Sequence, residues 1–425
     1  MLYFLYTIIY TLALSVLLPF EYLKRQSHIR KRWLVERAGF FGNHPVMDKK
    51  HCLWIHAVSV GEVISSVSFV QKFRAQYPDS DIIVSTVTDT GQKVAAERLS
   101  DIAQIIYMPF DIPFFIRKTI DFFNPSLFII METELWPNII KELKKRGIPV
   151  ILINGRISEK SFNGYLKLRF FMKHVLQNID RFCVQNEIYA ERIIKLGAIP
   201  DNVRVTGNFK FDTRPPAGLP DWAKLLNGRV IIAGSTHEPE EEIILDAYMK
   251  LKKDFPDIIL ILAPRHPERF KEVEDLVKSK GVTYARRSDL HTTIHPVIES
   301  GVVILDAIGE LAAVYGACDI AVIGGSFIKH GGQNPLEPAY WSKSIICGAS
   351  MENFPFIEEF YSENAALKTD RYGLYSCLKE LLQSPDRISA MGEKARKLYE
   401  KNSGATDRAL DDIKEFLNCD YASEK

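Results

Sequence analysis

The chain has 425 residues and lacks the motifs by which phosphate-handling proteins usually announce themselves. There is no G-x-x-x-x-G-K-[ST] for a P-loop and no G-x-G-x-x-G for a dinucleotide. The lone D-x-D, Asp79-Ser80-Asp81, follows Pro78 and leads into an apolar run, so it reads as a surface turn and not as a metal site. Six cysteines, at 52, 183, 318, 347, 377 and 419, contain no C-x-x-C. Five of them sit in or beside apolar or helix-like stretches, as small core residues of a reducing compartment do, and no zinc site or disulfide framework is expected. Neither sign of charge dominates: 54 Lys and Arg against 53 Asp and Glu leave +1, which argues against nucleic acid as a partner. Internal repeats and low-complexity tracts are absent as well.

What the chain does have begins with one long hydrophobic run. Met1–Phe20 contains no charged side chain, and as a helix would extend about 30 Å, the thickness of a bilayer core. Lys24, Arg25, Arg30, Lys31, Arg32 and Arg37 follow it. A cleaved signal peptide carries its positive charge ahead of the apolar run, not behind it. Residues 1–22 are therefore expected to be a single membrane anchor, either spanning or lying in the interface. The positive-inside rule then leaves the remainder on the cytoplasmic face.

From residue 51 short apolar runs alternate with amphipathic stretches. Strands are expected at Cys52–Val58, Ile82–Val87, Ile105–Pro109, Leu127–Met131, Val150–Ile153, Phe182–Gln185 and Val203–Gly207. Continuous Ile- and Val-rich strands of this kind suit a parallel sheet covered on both faces. The prolines at 215, 216 and 220 interrupt the rhythm and mark 213–228 as a hinge. A second series follows: Val230–Ala233, Ile258–Ala263, Val282–Ala285, Val302–Leu305, Ile320–Ile323 and Ile345–Cys347. The expectation is two α/β, Rossmann-like, doubly wound domains across a cleft, over 23–212 and 229–404. A closing segment, 405–425, would be free to pack back on the first.

The candidate chemistry lies at strand ends, where open α/β sheets collect their ligands. His56-Ala-Val-Ser-Val-Gly-Glu62 closes the first strand. Glu62 can serve there as a general base, and Ser59-x-x-Glu62 equally has the spacing of a helix capping box. Met131-Glu132-Thr133-Glu134-Leu135-Trp136-Pro137 closes the fourth. One of its acids can be functional, while acids in a first helical turn also suit the helix dipole. Lys210, in Thr206-Gly-Asn-Phe-Lys-Phe-Asp212, can offset charge on a phosphate or simply pair with Asp212. In the second series, Ser235-Thr-His-Glu238, Pro264-Arg265-His266, Ile308-Gly309-Glu310 and Gly324–Pro338 again follow strands. Glycine turns leading into Pro335 and a helix bring bare backbone amides beside an anion. Together these outline a nucleotide site. With no metal motif, transfer from a monophosphate leaving group is easier to support than a magnesium–diphosphate reaction.

HAVSVGE (56–62), METELWPN (131–138), TGNFKFD (206–212), STHEPEEE (235–242), PRHPERF (264–270), IGEL (308–311) and GGSF…GGQNPLEP (324–338) occur in one order over most of the chain. In these segments the chain resembles the 3-deoxy-D-manno-octulosonic acid (Kdo) transferases of Gram-negative lipid A assembly. The resemblance implies a GT-B glycosyltransferase fold and an inverting transfer with CMP-Kdo as donor. The acceptor would be a tetraacylated lipid A precursor (lipid IVA) in the inner membrane, and neither metal nor cofactor would be needed. It makes Glu62 the general base, and gives Glu132 and Lys210 transition-state stabilisation. It assigns Pro264, Arg265, Ile308, Gly309, Glu310, Asn334, Pro335, Leu336 and Glu337 to CMP. The basic stretch 24–37 would hold acceptor phosphates, anionic lipid or both. Gln333 stands where many relatives are expected to carry His, so hydrogen bonding in that loop is expected to differ. The competing readings are a UDP-sugar transferase or epimerase of the same fold, and a membrane-tethered binding protein without chemistry.

Overall fold

A computed structural model describes residues 1–42, 44–45, 51–216, 218–290 and 297–417. Cys419 and the end of the closing segment, 418–425, lie outside the described residues. The chain forms two compact units, one reaching Thr213 and resuming at Ser403, the other running from Arg214 to Asn402.

The first unit holds a seven-stranded sheet. Its strands are β1 (His51–His56), β2 (Ser80–Thr86), β3 (Gln104–Tyr107), β4 (Leu127–Met131), β5 (Val150–Gly155), β6 (Arg181–Val184) and β7 (Val203–Val205). The spatial order is β3-β2-β1-β4-β5-β6-β7, and every pairing is parallel. The order reverses beside β1, so β1 and β4 diverge at the topological switch point, where such sheets open a crevice. Leu53, Ile55, Ile129 and Ile151 belong to the core on one side of the sheet and Trp54, Phe128, Ile130 and Leu152 to the core on the other. The strands are apolar throughout because both faces are covered.

The helices of this unit are α1 (Leu2–Lys24), α2 (Ser27–Arg37), α3 (Val60–Gln76), α4 (Asp89–Leu99), α5 (Pro113–Phe123), α6 (Pro137–Lys145), α7 (Glu159–Lys167), α8 (Arg169–Leu176) and α9 (Glu187–Leu196). Proline opens both α5 and α6, where its missing N–H costs no helical hydrogen bond. Ahead of α6 lies Asp111, fully buried, whose two oxygens accept from the amides of Asn138 (3.0 Å) and Ile139 (2.9 Å). Burial holds its carboxyl up at about 6.

The second unit repeats the plan with β8 (Arg229–Thr236), β9 (Ile258–Pro264), β10 (Tyr284–Arg286), β11 (Gly301–Ile304), β12 (Ile320–Ile323), β13 (Ser344–Cys347) and β14 (Ala366–Lys368), and with α10 (Glu240–Leu251) following β8. The order is β10-β11-β9-β8-β12-β13-β14, again all parallel. The three-residue strand β14 was not expected, because Ala-Leu-Lys carries almost no periodic signal. The Pro-rich segment 213–228 is not a free linker along its length. Trp222, Ala223 and Leu225 are buried in the core of the second unit, and the Trp222 indole donates to Glu310 at 2.8 Å. Aromatic and aliphatic residues in the stretch outweigh its prolines once a core is there to receive them.

The closing helix Ala405–Leu417 belongs to the first unit, where Ala405, Ala409, Leu410, Ile413 and Leu417 enter the core under α3. Asp212 caps its start, accepting from the amides of Gly404 and Thr406 at 2.6 Å each. Asp212→Ala leaves two amides without that acceptor and is expected to destabilise the docked helix by about 1–3 kcal/mol. Amide exchange over 404–417 checks this; protection equal to that of the unaltered protein refutes it.

Candidate active site

Glu62 lies in the first turn of α3, just past the carboxyl end of β1, and is 9% exposed. Its Oε2 accepts from the Val58 amide at 2.8 Å and its Oε1 from the Ser59 hydroxyl at 3.3 Å. The reciprocal capping box does not form: Ser59 makes no side-chain cap bond to the helix. Glu62 therefore secures the strand-to-helix turn from its own side chain, through one main-chain amide and the weaker bond from Ser59. Burial, reinforced by the negative charges of Glu132 and Glu134, raises its carboxyl to about 8 against the pull of the Val58 amide. A carboxylate so disfavoured in ionised form is a strong proton acceptor, which is the environment a general base requires.

Glu132 follows β4 with φ of +56°, a left-handed conformation rare for a residue with a side chain. Asn154, at the end of β5, has φ of +53°. Two such residues on adjacent strand ends mark a backbone held in place by its surroundings. The Glu132 carboxylate pairs with Arg156 Nε at 2.8 Å. The Asn154 side-chain oxygen accepts from the Phe209 amide at 3.1 Å, and Asn208 accepts from the Lys210 amide at 3.0 Å, so Lys210 rides on a braced turn. Burial and then the Arg156 charge push the Lys210 ammonium pKa down, while Glu132 pulls it back up. Burial, with Glu132 second, raises the Glu134 carboxyl. Glu62, Glu132, Glu134, Arg156 and Lys210 thus form one electrostatic group at the carboxyl ends of β1, β4 and β5.

His56 and Trp136 are bonded to each other inside the protein. His56 is fully buried; its Nδ1 meets the Ser85 carbonyl at 3.2 Å and hydroxyl at 3.0 Å, and its Nε2 accepts from the Trp136 indole at 3.2 Å. Burial drives it down to about 3, so the ring is neutral and ties β1 to the loop that carries Glu132.

In the second unit Pro264 is buried at the end of β9, and Arg265 beyond it is exposed. Ile308 is 80% exposed and Gly309 has φ of +87°. The Glu310 carboxylate is already engaged, bidentate to Arg287 at 2.8 Å and bonded to Trp222, which leaves the main chain of that segment and the Ile308 side chain facing outward. Asn334 accepts from the Leu336 amide at 3.1 Å and donates to Glu337 at 3.4 Å. Burial raises the Glu337 carboxyl, opposed by Asn334. Pro335 and Leu336 are buried beneath the turn. Gln333 reaches His237, nitrogen to nitrogen, at 3.1 Å. The His237 ring lies 4.1 Å from that of His330 and 5.4 Å from that of His266. The glycine loop therefore meets the strand ends of β8 and β9, and Pro264, Arg265 and Asn334–Glu337 fall together.

Sequence reasoning missed Glu240. Fully buried, it accepts from the amides of Gly325 (2.6 Å), Phe327 (2.9 Å) and His237 (3.0 Å), and so shapes the glycine loop from beneath. A β-carbon on Gly324 would meet the Ser235 carbonyl oxygen at 2.3 Å, which is why that position is bare. The signal was the run Glu240-Glu241-Glu242 opening an otherwise apolar helix. Arg156 was missed as well, since nothing local distinguishes it. In the basic stretch 24–37 the guanidiniums have partners within the protein. Arg25 stacks on Trp33 at 3.9 Å and pairs with Asp89; Arg37 lies over Phe110 at 4.3 Å and donates to the Met108 carbonyl. Arg30 bonds the carbonyls of Leu23 and Arg25, and Arg32 bonds Glu36. These four guanidiniums hold the protein to itself, leaving Lys24 and Lys31 exposed.

A family model for 3-deoxy-D-manno-octulosonic-acid transferase matches residues 32–213. The 3-deoxy-D-manno-octulosonic acid transferase of Haemophilus influenzae is 35% identical over 97% of this chain and 98% of its own. The Bordetella pertussis enzyme of that name is 31% identical over 96% and 99%. Among solved structures, a UDP-N-acetylglucosamine 2-epimerase superposes with a TM-score of 0.58 at 13% identity, covering 89% of this chain and 98% of that one. A glycosyltransferase from Rickettsia africae superposes at 0.57 with 15% identity, covering 87% and 99%. These last two are likenesses of fold alone.

Because the folded state holds Glu62 well above an ordinary glutamate, its proton stabilises the fold. That contribution is complete below the ordinary carboxylate range and is lost as pH rises through about 8. Glu62→Gln is expected to flatten the fall of Tm between pH 6 and pH 9, on the order of the shift that linkage implies. An unchanged pH dependence would mean that Glu62 is not so perturbed.

Proposed function

The chain belongs to the 3-deoxy-D-manno-octulosonic acid transferase family, and on that premise we propose that it moves Kdo from CMP-Kdo to a hydroxyl of a tetraacylated lipid A precursor, releasing CMP. The observation that carries this reading is the environment of Glu62, a buried and strongly basic carboxylate at the carboxyl end of β1. In the proposed step the acceptor hydroxyl gives its proton to Glu62. Its oxygen forms a bond to the anomeric carbon of the sugar on the face opposite the nucleotide. The bond from that carbon to the phosphate oxygen breaks, and the electron pair leaves on CMP. The configuration inverts.

The sugar carbon gains positive character as the phosphate gains negative charge. Glu132 suits the first, and Lys210, with Arg156 beside it, suits the second. In the second unit the main chain of Ile308–Glu310, the exposed Arg265 and the turn Asn334–Glu337 make up the proposed CMP site. Arg265 would clamp the phosphate and Glu337 would accept from sugar hydroxyls. The reaction would take place on the cytoplasmic face of the inner membrane, where an acylated acceptor resides.

Incubation with CMP-Kdo and the tetraacylated precursor, followed by mass spectrometry of the lipid, tests the reading. A product heavier by one or more Kdo residues is expected, and transfer from a UDP-sugar instead would overturn it. Glu62→Ala should abolish transfer while CMP still binds; retained turnover removes Glu62 as the base. The rate should climb with pH and level off above about 8. Glu132→Gln, by deleting a like charge, should move that rise to lower pH. Arg265→Ala should weaken donor binding roughly tenfold or more, and an unaltered donor affinity would count against the site.

A further inference from the structure

Helix α1 is long and apolar enough to cross a membrane. Its contacts point to another arrangement. Tyr3, Tyr6, Thr7, Tyr10, Leu14, Leu18 and Tyr22 are half-buried, and their spacing of three or four residues makes them one stripe. The stripe is seated on the first unit from end to end. The Tyr3 hydroxyl donates to the His174 carbonyl and accepts from Asn178, both at 3.1 Å. One turn later Thr7 Oγ1 accepts from Asn138 at 3.0 Å, and the Tyr10 hydroxyl then accepts from the Asp111 amide at 3.3 Å. Leu14, Leu18 and Tyr22 pack on the cluster of Trp33, Tyr107 and Phe110. Just past the helix, Arg25 pairs with Asp89 at 3.3 Å.

A helix that crosses a bilayer carries its ends to opposite sides of about 30 Å of hydrocarbon. Here both ends are tied to one folded unit. The ties at the N-terminal end are polar groups that hydrocarbon would leave unsatisfied. The other face of the helix is apolar and open: Phe4, Ile8, Leu12, Val16 and Phe20 are 40–71% exposed. A strip of this length is far from an ordinary wetted surface. It is continued on both flanks. Phe171 of α8 packs on Tyr3 and Tyr6, and its neighbour Phe170 is 72% exposed. Phe115 of α5 packs beside the Trp33 cluster, and its neighbour Phe114 is 53% exposed, with the Lys118 ammonium 4.7 Å above its ring. Lys24, Lys31, Lys167, Arg169 and Lys173 are exposed on the adjoining elements.

We propose that α1 lies in the plane of the membrane, one face docked on the first unit and the other sunk into a single phospholipid leaflet, holding the chain on one side without crossing. Lipid is the occupant because the flanking side chains are cationic. Two copies packed about a two-fold axis would oppose like charges, whereas anionic headgroups neutralise them. The inference does not depend on which sugar or acceptor the enzyme uses.

The test takes the full chain, expressed in Gram-negative cells, with a short protease-cleavable tag before Met1 and another after Lys425. Both tags should be cut in inside-out vesicles and survive in intact spheroplasts. A leading tag cut only from the outer face overturns the proposal. Leu12→Asp combined with Val16→Asp should lower flotation of the purified chain with phosphatidylethanolamine–phosphatidylglycerol vesicles by roughly tenfold or more, with unchanged circular dichroism. Undiminished flotation, or loss of self-association in its place, overturns it as well. Should the doubly substituted chain fail to fold, the sidedness of the leading tag decides alone.

Discussion

Carboxylates that accept hydrogen bonds from main-chain amides hold several of the turns that shape both units. Glu62 takes the Val58 amide, Asp111 the first amides of α6, Asp212 the start of the closing helix, and Glu240 three amides around the glycine loop. A charge buried in this way is tolerable only because the amide dipoles converge on it. Where they converge fully, the carboxylate is a structural pin. Glu62 has one amide and one hydroxyl, and burial, with the charges of Glu132 and Glu134, outweighs them and raises its proton affinity. Burial and neighbouring charge, set against the donors each oxygen finds, decide how far each carboxyl is raised.

The same economy governs the cations. Four arginines after α1 are engaged within the first unit through aromatic faces, carbonyls and acids. Planar guanidinium groups stack and bond at once, which lysines cannot do. The exposed positive charge beside the apolar face of α1 comes mostly from lysines, whose compact and strongly hydrated heads remain in water.

The alternation of short Ile- and Val-rich runs with amphipathic stretches was enough to read two α/β units, each with a parallel sheet, because strands buried on both faces cannot hide their composition. The strand-end positions of Glu62, Glu132, Lys210 and Arg265 were legible for the same reason. Their partners were not. Arg156 reaches Glu132 from 24 positions away, and Glu240 reaches Gly325 from 85. Trp222 and its neighbours looked like part of a linker because their prolines are local, while the core that takes them in is assembled from distant strands. That Ser59 and Glu62 form no reciprocal capping box was not legible either, since the spacing is the same whether or not the serine turns to the helix amides.

Sequence alone determined the two α/β units, the uncharged N-terminal run and the residue types at the strand ends, since each follows from local composition and period. Tertiary structure decided that α1 has a docked face and an open one, that Arg25 and Arg37 are buried in aromatic contacts, and that Glu62 is raised by burial with Glu132 and Glu134 beside it. Those outcomes depend on which groups meet across long stretches of chain. Burial and electrostatic coupling are properties of that meeting, not of any single segment.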